Sequence, residues 1–206
     1  MISKPKRPWS SRNVPQVDLA GIEQDLRHLS LRYMRQSVEL PLNHEDKSVR
    51  AKLYAAAKAL QQAVRENMVA DAIFEIGSNL MGCEQIALLV TWERQDRVAF
   101  LGSVGLNPEQ LQAIRRNAKQ IIGEDPADSM YIKTGADDRS FLSSLGVTAR
   151  IPVRLDSTRK GAIVLFDLLP QRTGLDSGDR ELLKLLCAYA GPCLAANKIH
   201  HQEIFG

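Results

Sequence analysis

The sequence predicts an α+β fold in which helices cover an antiparallel sheet. Residues 150–166 read as two strands joined by a polar turn, and the apolar stretch after them, up to residue 199, reads as a helix with an acidic start. Residues 86–92 form an unbroken apolar run, which is typical of a central strand covered on both faces. Residues 18–39 carry apolar side chains at helical spacing. Helices therefore precede and follow the strands.

The length and composition are those of one globular domain with extensions. The chain has 206 residues, of which 44% are hydrophobic and 25% are charged, so it can bury a core of ordinary size. No apolar run is long enough to cross a bilayer, and the basic N-terminus lacks the apolar segment of a signal peptide. We therefore expect a cytoplasmic protein without a membrane partner.

The basic charge is concentrated at the N-terminus. The net charge is +3, and the first sixteen residues contribute +4 to it, through Lys4, Lys6, Arg7 and Arg12. A nucleic-acid-binding domain usually carries its basic excess on a folded face, because counterion release at phosphates supplies much of the affinity. We therefore expect no nucleic-acid partner and interpret residues 1–17 as a flexible basic leader.

Two amphipathic helices are predicted before the first strand. In the first, residues 18–39, Asp18 can cap the start, and the apolar stripe favours packing against a partner helix because the polar face is not basic enough for a membrane surface. The second, residues 45–81, has apolar positions spaced alternately by four and three, which predicts helix pairing. This seam comprises Val49, Leu53, Ala56, Leu60, Ala63, Asn67, Ala70, Phe74, Gly77 and Met81.

Asn67 is the polar member of the predicted seam, and two interpretations of it stay open. In the first, the amide is buried between paired helices and fixes their register at some cost in stability. In the second, the side chain reaches water at the flank of the helix. The sequence does not decide between them.

The middle of the chain predicts a strand, a helix and an irregular segment. Residues 97–106 form the strand, which two glycines bend toward its end. Residues 107–122 form the helix, with Asn107 as its cap and a solvated polar face made by Arg115, Arg116 and Lys119. Residues 124–140 are acidic and irregular, as lids are. Residues 147–155 then alternate between apolar and polar positions, so one face of that strand belongs to the core.

The order of these elements over residues 45–200, together with the motifs Ile151-Pro152-Val153 and Gly161-Ala162-Ile163-Val164, resembles a GAF domain, the small α/β sensor module of bacterial signalling proteins. The resemblance implies an antiparallel sheet of five or six strands. It also implies that the N- and C-terminal helices pack together on one face, while the middle helix and lid enclose a small-molecule pocket on the other. Residues 18–44 are then an N-terminal helical extension with its linker, and residues 45–206 are the GAF-like domain.

Some members of this family bind a bilin, bind a cyclic nucleotide or reduce free methionine sulfoxide, and this chain lacks the residues that they use. Bilin attachment uses a Cys near the pocket, but no Cys occurs between Cys83 and Cys187. The motif by which some members bind cyclic nucleotides has no counterpart. Free methionine sulfoxide reductases use cysteines in the pocket loops, where Cys83, Cys187 and Cys193 do not fall. We therefore expect buried, reduced thiols, no enzymatic activity and no cofactor, although an unidentified small molecule is a candidate ligand.

Other chemical groups in the sequence are scattered. The four histidines lack the spacing of metal ligands, because neighbouring residues 200 and 201 would point about 100° apart on a helix. Asp176 and Asp179 are interpreted as caps of the last helix. No metal site is therefore predicted.

The resemblance implies four candidates for a ligand pocket: Phe100, Tyr131, Phe141 and Arg150. In this hypothesis Arg150 points at a bound anion and the aromatic rings form apolar walls. The alternative is that Arg150 and Arg154 form the solvent face of an exposed strand.

The last helix continues a stripe whose spacing matches that of the 45–81 helix, and Gly191-Pro192 predicts a kink in it. We therefore expect a homodimer in which the two helices form a coiled-coil-like interface. Its candidate residues are Leu53, Leu60, Asn67, Leu186, Tyr189 and Cys193. The expected function is a non-catalytic regulatory protein that signals to an unidentified partner protein. The alternatives are a degenerate GAF scaffold that acts only by protein contacts, and an enzyme resembling the free methionine sulfoxide reductases.

Overall fold

A five-stranded antiparallel sheet lies between two layers of helices, which confirms the predicted α+β fold. The computed structural model describes residues 18–39, 44–92, 97–123, 129–133, 138, 140–156 and 159–196. The predicted leader, most of the predicted lid and the chain after residue 196 lie outside the described residues.

The strands follow one another across the sheet in the order β2-β1-β5-β4-β3. They are β1 (Ile86–Trp92), β2 (Arg97–Val104), β3 (Tyr131–Ile132), β4 (Ala149–Arg154) and β5 (Lys160–Leu165). All pairings are antiparallel, and β1 lies between β2 and β5, as its apolar run predicts. Leu88 pairs with Gly102 but Leu89 pairs with Phe100, so Leu101 is an extra residue in β2. This bulge interrupts β2 near one of the glycines that predicted a bend.

Two separate apolar cores form because helices cover both faces of the sheet. The helices are α1 (Leu19–Glu39), α2 (His44–Glu66), α3 (Val69–Glu75) with a π-helical turn (Ile76–Leu80), α4 (Pro108–Arg116), α5 (Ala118–Ile122), α6 (Phe141–Ser144) and α7 (Ser177–Ala196). The larger core joins α1, α2, α3 and α7 to the sheet, and the smaller one joins α4 and α5 to the opposite face. Along β1, Leu88 and Val90 face the larger core, whereas Ala87 and Leu89 face the smaller one.

Helix α1 packs along α2, which confirms that its apolar stripe meets a partner helix. Asp18 caps it, since the Gly21 N–H donates to the Asp18 carboxylate at 3.0 Å. Leu26 is fully buried, and Arg65 near the end of α2 contacts Glu23 at 3.1 Å. The two helices are therefore antiparallel, with the start of α1 beside the end of α2.

The predicted continuous helix over residues 45–81 is wrong, because the chain turns at Asn67. Asn67 is exposed and has a φ of 61°, in the left-handed region that Asn tolerates better than most residues with a side chain. The Met68 N–H donates to the Ala63 carbonyl at 2.9 Å, which closes α2 by a Schellman-type cap. Helix α3 begins at the next residue. Asn67 thus faces water and holds no interhelical register.

The predicted dimer seam is an interface within one chain. Leu53, Leu60, Leu186 and Cys193 are at most 5% exposed, because α2 packs against both α1 and α7. Tyr189 is half-buried in the same core. A second copy could not reach the four buried side chains unless these helices separated.

Helix α7 continues through Pro192 to Ala196 and lies against the end of β4. Gly191 is the point of closest approach, because a Cβ at this position would overlap the backbone of Arg154. The predicted kink at Pro192 stays a prediction. The glycine has a definite role, since it lets the helix backbone touch the strand.

We predict that Leu60→Asp destabilises the single chain rather than separating two folded copies. A charge at this fully buried position has no partner, so the free energy of unfolding should fall by about 4 kcal/mol or more. Chemical denaturation with light scattering measures both stability and mass. Ala55→Asp, at an exposed position of the same helix, is the control. A Leu60→Asp protein that is a stable folded monomer, made from a dimeric parent, would contradict the intramolecular interface.

We also predict that the turn between α2 and α3 tolerates glycine but not a β-branched residue. Asn67→Gly should leave stability within a few tenths of a kcal/mol, whereas Asn67→Val should cost about 1–2 kcal/mol, because valine resists positive φ. Urea midpoints of the two variants test the difference. An Asn67→Val midpoint equal to or above that of Asn67→Gly would indicate that the two helices are continuous in solution, because valine is the better helix former of the two.

Candidate functional site

A cleft opens on the sheet face opposite α1, α2 and α7, between β2 and the junction of α4 and α5. Its volume is about 760 Å³. The floor includes Leu89, Ala99 and Ala118, which are almost completely buried. The remaining lining residues are Val98, Phe100, Arg115, Arg116, Asn117, Lys119 and Gln120. The cleft therefore combines an apolar floor with a polar and basic wall.

The sequence around residue 107 positions the helical wall of the cleft. The Gln110 N–H donates to the Asn107 side chain at 2.8 Å, and the Asn107 N–H donates to the Gln110 side chain at 3.0 Å. This reciprocal capping box and Pro108 at the first helical position confirm the predicted start of α4. Ile114 then faces the sheet and anchors the helix in the smaller core.

The predicted single helix over residues 107–122 is divided at Asn117. This residue has φ −107° and ψ 11°, and its side-chain amide donates to the Ala113 carbonyl at 2.8 Å. A side chain that bonds to the backbone in this way competes with regular helix geometry. The chain continues as α5. This helix ends at Gly123, where φ is 85°, as predicted. The junction brings side chains of both helices to the same cleft.

The wall of the cleft is positively charged. Arg115, Arg116 and Lys119 are exposed and line it together, and none of the described lining residues carries a carboxylate. The Arg115 guanidinium lies over the Phe100 ring, 5.7 Å from its centroid, which is a cation–π distance. The predicted solvated face of α4 is thus also the edge of a cavity.

Phe100 is the only one of the four predicted pocket residues among the described residues lining this cleft. Arg150 requires a correction, because its side chain is buried and bonded to the backbone of this chain instead of facing solvent or lining this cleft. It is 7% exposed and donates to the carbonyls of Ile121 and Ile122 at 3.2 and 3.1 Å, and to that of Ser129 at 2.8 Å. The guanidinium therefore holds the negative end of α5 against the sheet.

Tyr131 and Phe141 lie in the closed part of the same face. The Tyr131 hydroxyl donates to the Asp138 carboxylate at 2.6 Å, and the Ser140 hydroxyl donates to Tyr131 at 3.1 Å. Burial, and then the hydrogen bond to Asp138, raise the pKa of Tyr131, so the phenol stays neutral. Ser140 caps α6, and Phe141 packs into the smaller core. These contacts attach α6 to β3 and form no apolar walls of the cleft.

The three thiols lie in the larger core. Burial raises the pKa of Cys83 to about 11 and that of Cys193 to about 12, and it also raises the pKa of Cys187, which is half-buried. Thiolate is therefore scarce at neutral pH, and these side chains are poor nucleophiles. The expected burial is confirmed for Cys83 and Cys193.

A cluster at the start of α7 confirms the predicted caps. The Asp179 N–H donates to the Asp176 carboxylate at 2.7 Å, and the Asp176 N–H donates to that of Asp179 at 2.9 Å. Arg172 pairs with both acids, and Lys52 of α2 lies 3.3 Å from Asp179. Lys52 was not predictable as a partner of this cap, because nothing local in the sequence connects residue 52 with residue 179.

Comparison with protein-family models, curated proteins and solved structures finds no match to this chain. Within the part of the chain that the structure describes, no group of three or more His, Cys, Asp or Glu side chains could hold a metal ion. None of the described helices is long and apolar enough to span a membrane. The cleft is therefore interpreted from its own geometry.

We predict that Arg150 is a structural residue. Arg150→Met leaves buried carbonyls without their donor, so the free energy of unfolding should fall by about 2–3 kcal/mol. Arg180→Met, at an exposed position of α7, should change it by less than about 0.5 kcal/mol. Urea denaturation measures both. Unchanged stability in Arg150→Met would indicate that these hydrogen bonds do not stabilise the fold, and Arg150 would again be a candidate for ligand contact.

Proposed function

We propose that this chain is a non-catalytic regulatory module with a GAF-like architecture, which binds a small molecule and signals to a partner protein. The observation that carries the proposal is the cleft between β2 and the junction of α4 and α5. Its volume of about 760 Å³ falls within the usual range of small-molecule sites, and it combines apolar lining residues with polar groups that could orient a ligand.

The arrangement of the layers supports the GAF-like part of the proposal. The resemblance implies that terminal helices pack together on one face of the sheet and middle helices lie on the other. Helices α2 and α7 pack against each other on one face, and α4 and α5 cover the opposite one. The cleft lies on the second face, where the resemblance places a ligand.

The sheet offers a physical connection between the cleft and the helical layer. Leu89 in the cleft floor belongs to β1, and its neighbours Leu88 and Val90 pack into the larger core with α2 and α7. A ligand that shifts β1 therefore acts on side chains that belong to the same core as those helices. A partner protein would read the change on the exposed surfaces of the helices, and a homodimer would also have to use exposed surfaces.

The smaller core favours the scaffold as a second candidate. Side chains of the chain itself, including Ile114, Ile121 and Phe166, fill the space between α4, α5 and the sheet. Arg150 is bonded to backbone carbonyls in the same region. A scaffold that acts only by protein contacts needs no deeper cavity. The reductase-like alternative has less support, because it requires an accessible thiolate, whereas burial raises the pKa of Cys83, Cys187 and Cys193.

A thermal-shift panel of nucleotides, amino acids and organic acids tests the proposal on the full chain. A ligand at one hundred times its Kd should add about 2.7 kcal/mol to stability. Hydrogen exchange with the bound ligand should then change at amides of α2 or α7. No stabilising compound would favour the scaffold. A ligand that binds and leaves exchange in both helices unchanged would contradict the signalling route.

A further inference from the structure

We infer that the ligand of the cleft is an oxyanion attached to a planar apolar group, such as an aromatic carboxylate or phosphate. This inference rests on the proposed function, because it names the chemical class that the same cleft would bind. Three observations carry it: the charge of the wall, the pair of Arg115 and Phe100, and the volume of the cleft.

The charge of the wall selects the anion. Arg115 and Arg116 contribute two positive charges to the wall of the cleft, and none of the described lining residues carries a carboxylate. Charge-assisted hydrogen bonds from such groups to carboxylate or phosphate are stronger than bonds between neutral groups. A neutral ligand of the same shape would forgo this contribution, and a cation would be repelled.

The pair of Phe100 and Arg115 selects the planar group. The ring supports the guanidinium from one side, so Arg115 keeps its planar donors in one orientation before a ligand arrives. Val98, which is half-buried, extends the apolar surface beside the ring. An aromatic ring can pack on this surface while its acidic group meets Arg116.

The size of the cavity and the charge of the rest of the chain favour a small molecule over a nucleic acid. The residues after the basic leader carry a net charge of about −1, whereas a polyanion is bound by an extended basic face. Two guanidinium groups beside a cleft of about 760 Å³ suit one or two acidic groups. An acidic peptide is the competing occupant, and the experiment below separates it.

Four probes titrated into the full chain test the inference: benzoate, phenyl phosphate, benzamide and inorganic phosphate. Backbone chemical shifts report both affinity and place. We expect both aromatic anions to perturb residues 97–100 and 115–120, and benzamide to bind at least about tenfold more weakly because it lacks the charge. Inorganic phosphate should also bind more weakly than phenyl phosphate, because it lacks the ring.

Variants separate the charge from the apolar surface. Arg116→Gln should weaken both aromatic anions about tenfold, and Arg116→Lys should restore most of the affinity. Phe100→Leu should weaken phenyl phosphate more than inorganic phosphate. Arg27→Gln removes the same charge from an exposed position of α1 on the other side of the sheet, and it should leave every affinity unchanged.

Several results would overturn the inference. They are equal binding of benzamide and benzoate, shifts confined to residues outside the cleft, an Arg116→Gln protein with full affinity, and no binding of either aromatic anion at about 10 mM, where even a weak ligand with a millimolar Kd is bound. Cleft binding by a polyglutamate peptide but by neither aromatic anion would replace the small molecule with an acidic peptide.

A neutral ligand from the thermal-shift panel would overturn this inference and leave the proposed function standing. An aromatic anion that binds in the cleft without changing exchange in α2 and α7 would support this inference and contradict the signalling route of the proposed function.

Discussion

The helical layer depends on the buried carboxylate of Asp179. This side chain is completely buried, and a carboxylate in such a place destabilises the fold by several kcal/mol unless cations and hydrogen-bond donors surround it. Arg172 and Lys52 supply the positive charge, and Arg172 also donates to the carbonyl of Met81. One charged cluster therefore joins α2, the end of the π-helical turn and the loop before α7. These elements have to come together in one arrangement, because any other leaves a buried charge without its partners.

The same cluster fixes where α7 begins, and Gly191 fixes where it meets the sheet. Burial by itself would raise the pKa of Asp176, but the hydrogen bond from the Asp179 N–H and the charges of Lys52 and Arg172 outweigh it, so the pKa is lowered. The cap thus stays ionised well below neutral pH. Near the other end of the helix, Gly191 contacts the backbone of Arg154 without an intervening side chain. Helix α7 is held at two points, one on α2 and one on β4, and a movement of the sheet would reach both helices.

The starts of helices and the core strands were predictable because their signals are local. Asp18 and Asn107 bond to amides within three residues of themselves, so their sequence context is enough to identify them. The breaks at Asn67 and Asn117 were missed for a related reason. Apolar spacing continues across both positions, so it predicts an unbroken helix. It does not show that Asn67 adopts a positive φ, or that the Asn117 side chain bonds to a carbonyl of the preceding turn.

The candidate site was predictable only in part. Phe100 was identified as a pocket residue, but Arg116 and Lys119 were interpreted as a solvated face. Their meeting with Phe100 depends on the position of the α4–α5 junction beside β2, which the helical pattern does not contain. Arg150, in contrast, was predicted to contact a ligand and has a structural role instead. Its alternation along β4 indicated the correct face of the strand, yet the carbonyls it binds come from residues more than twenty positions away.

The sequence by itself determined the kinds of element, the caps of α1, α4 and α7, and the burial of β1. The tertiary structure alone decided what each apolar or charged surface meets. The stripe of Leu53 and Leu60 required a partner helix, and folding supplied that partner from within the chain as α1 and α7. The physical reason is that periodicity records how much of a helix is hidden from water. It carries no information about which chain hides it, because the hydrophobic effect is non-directional and does not distinguish one apolar partner from another.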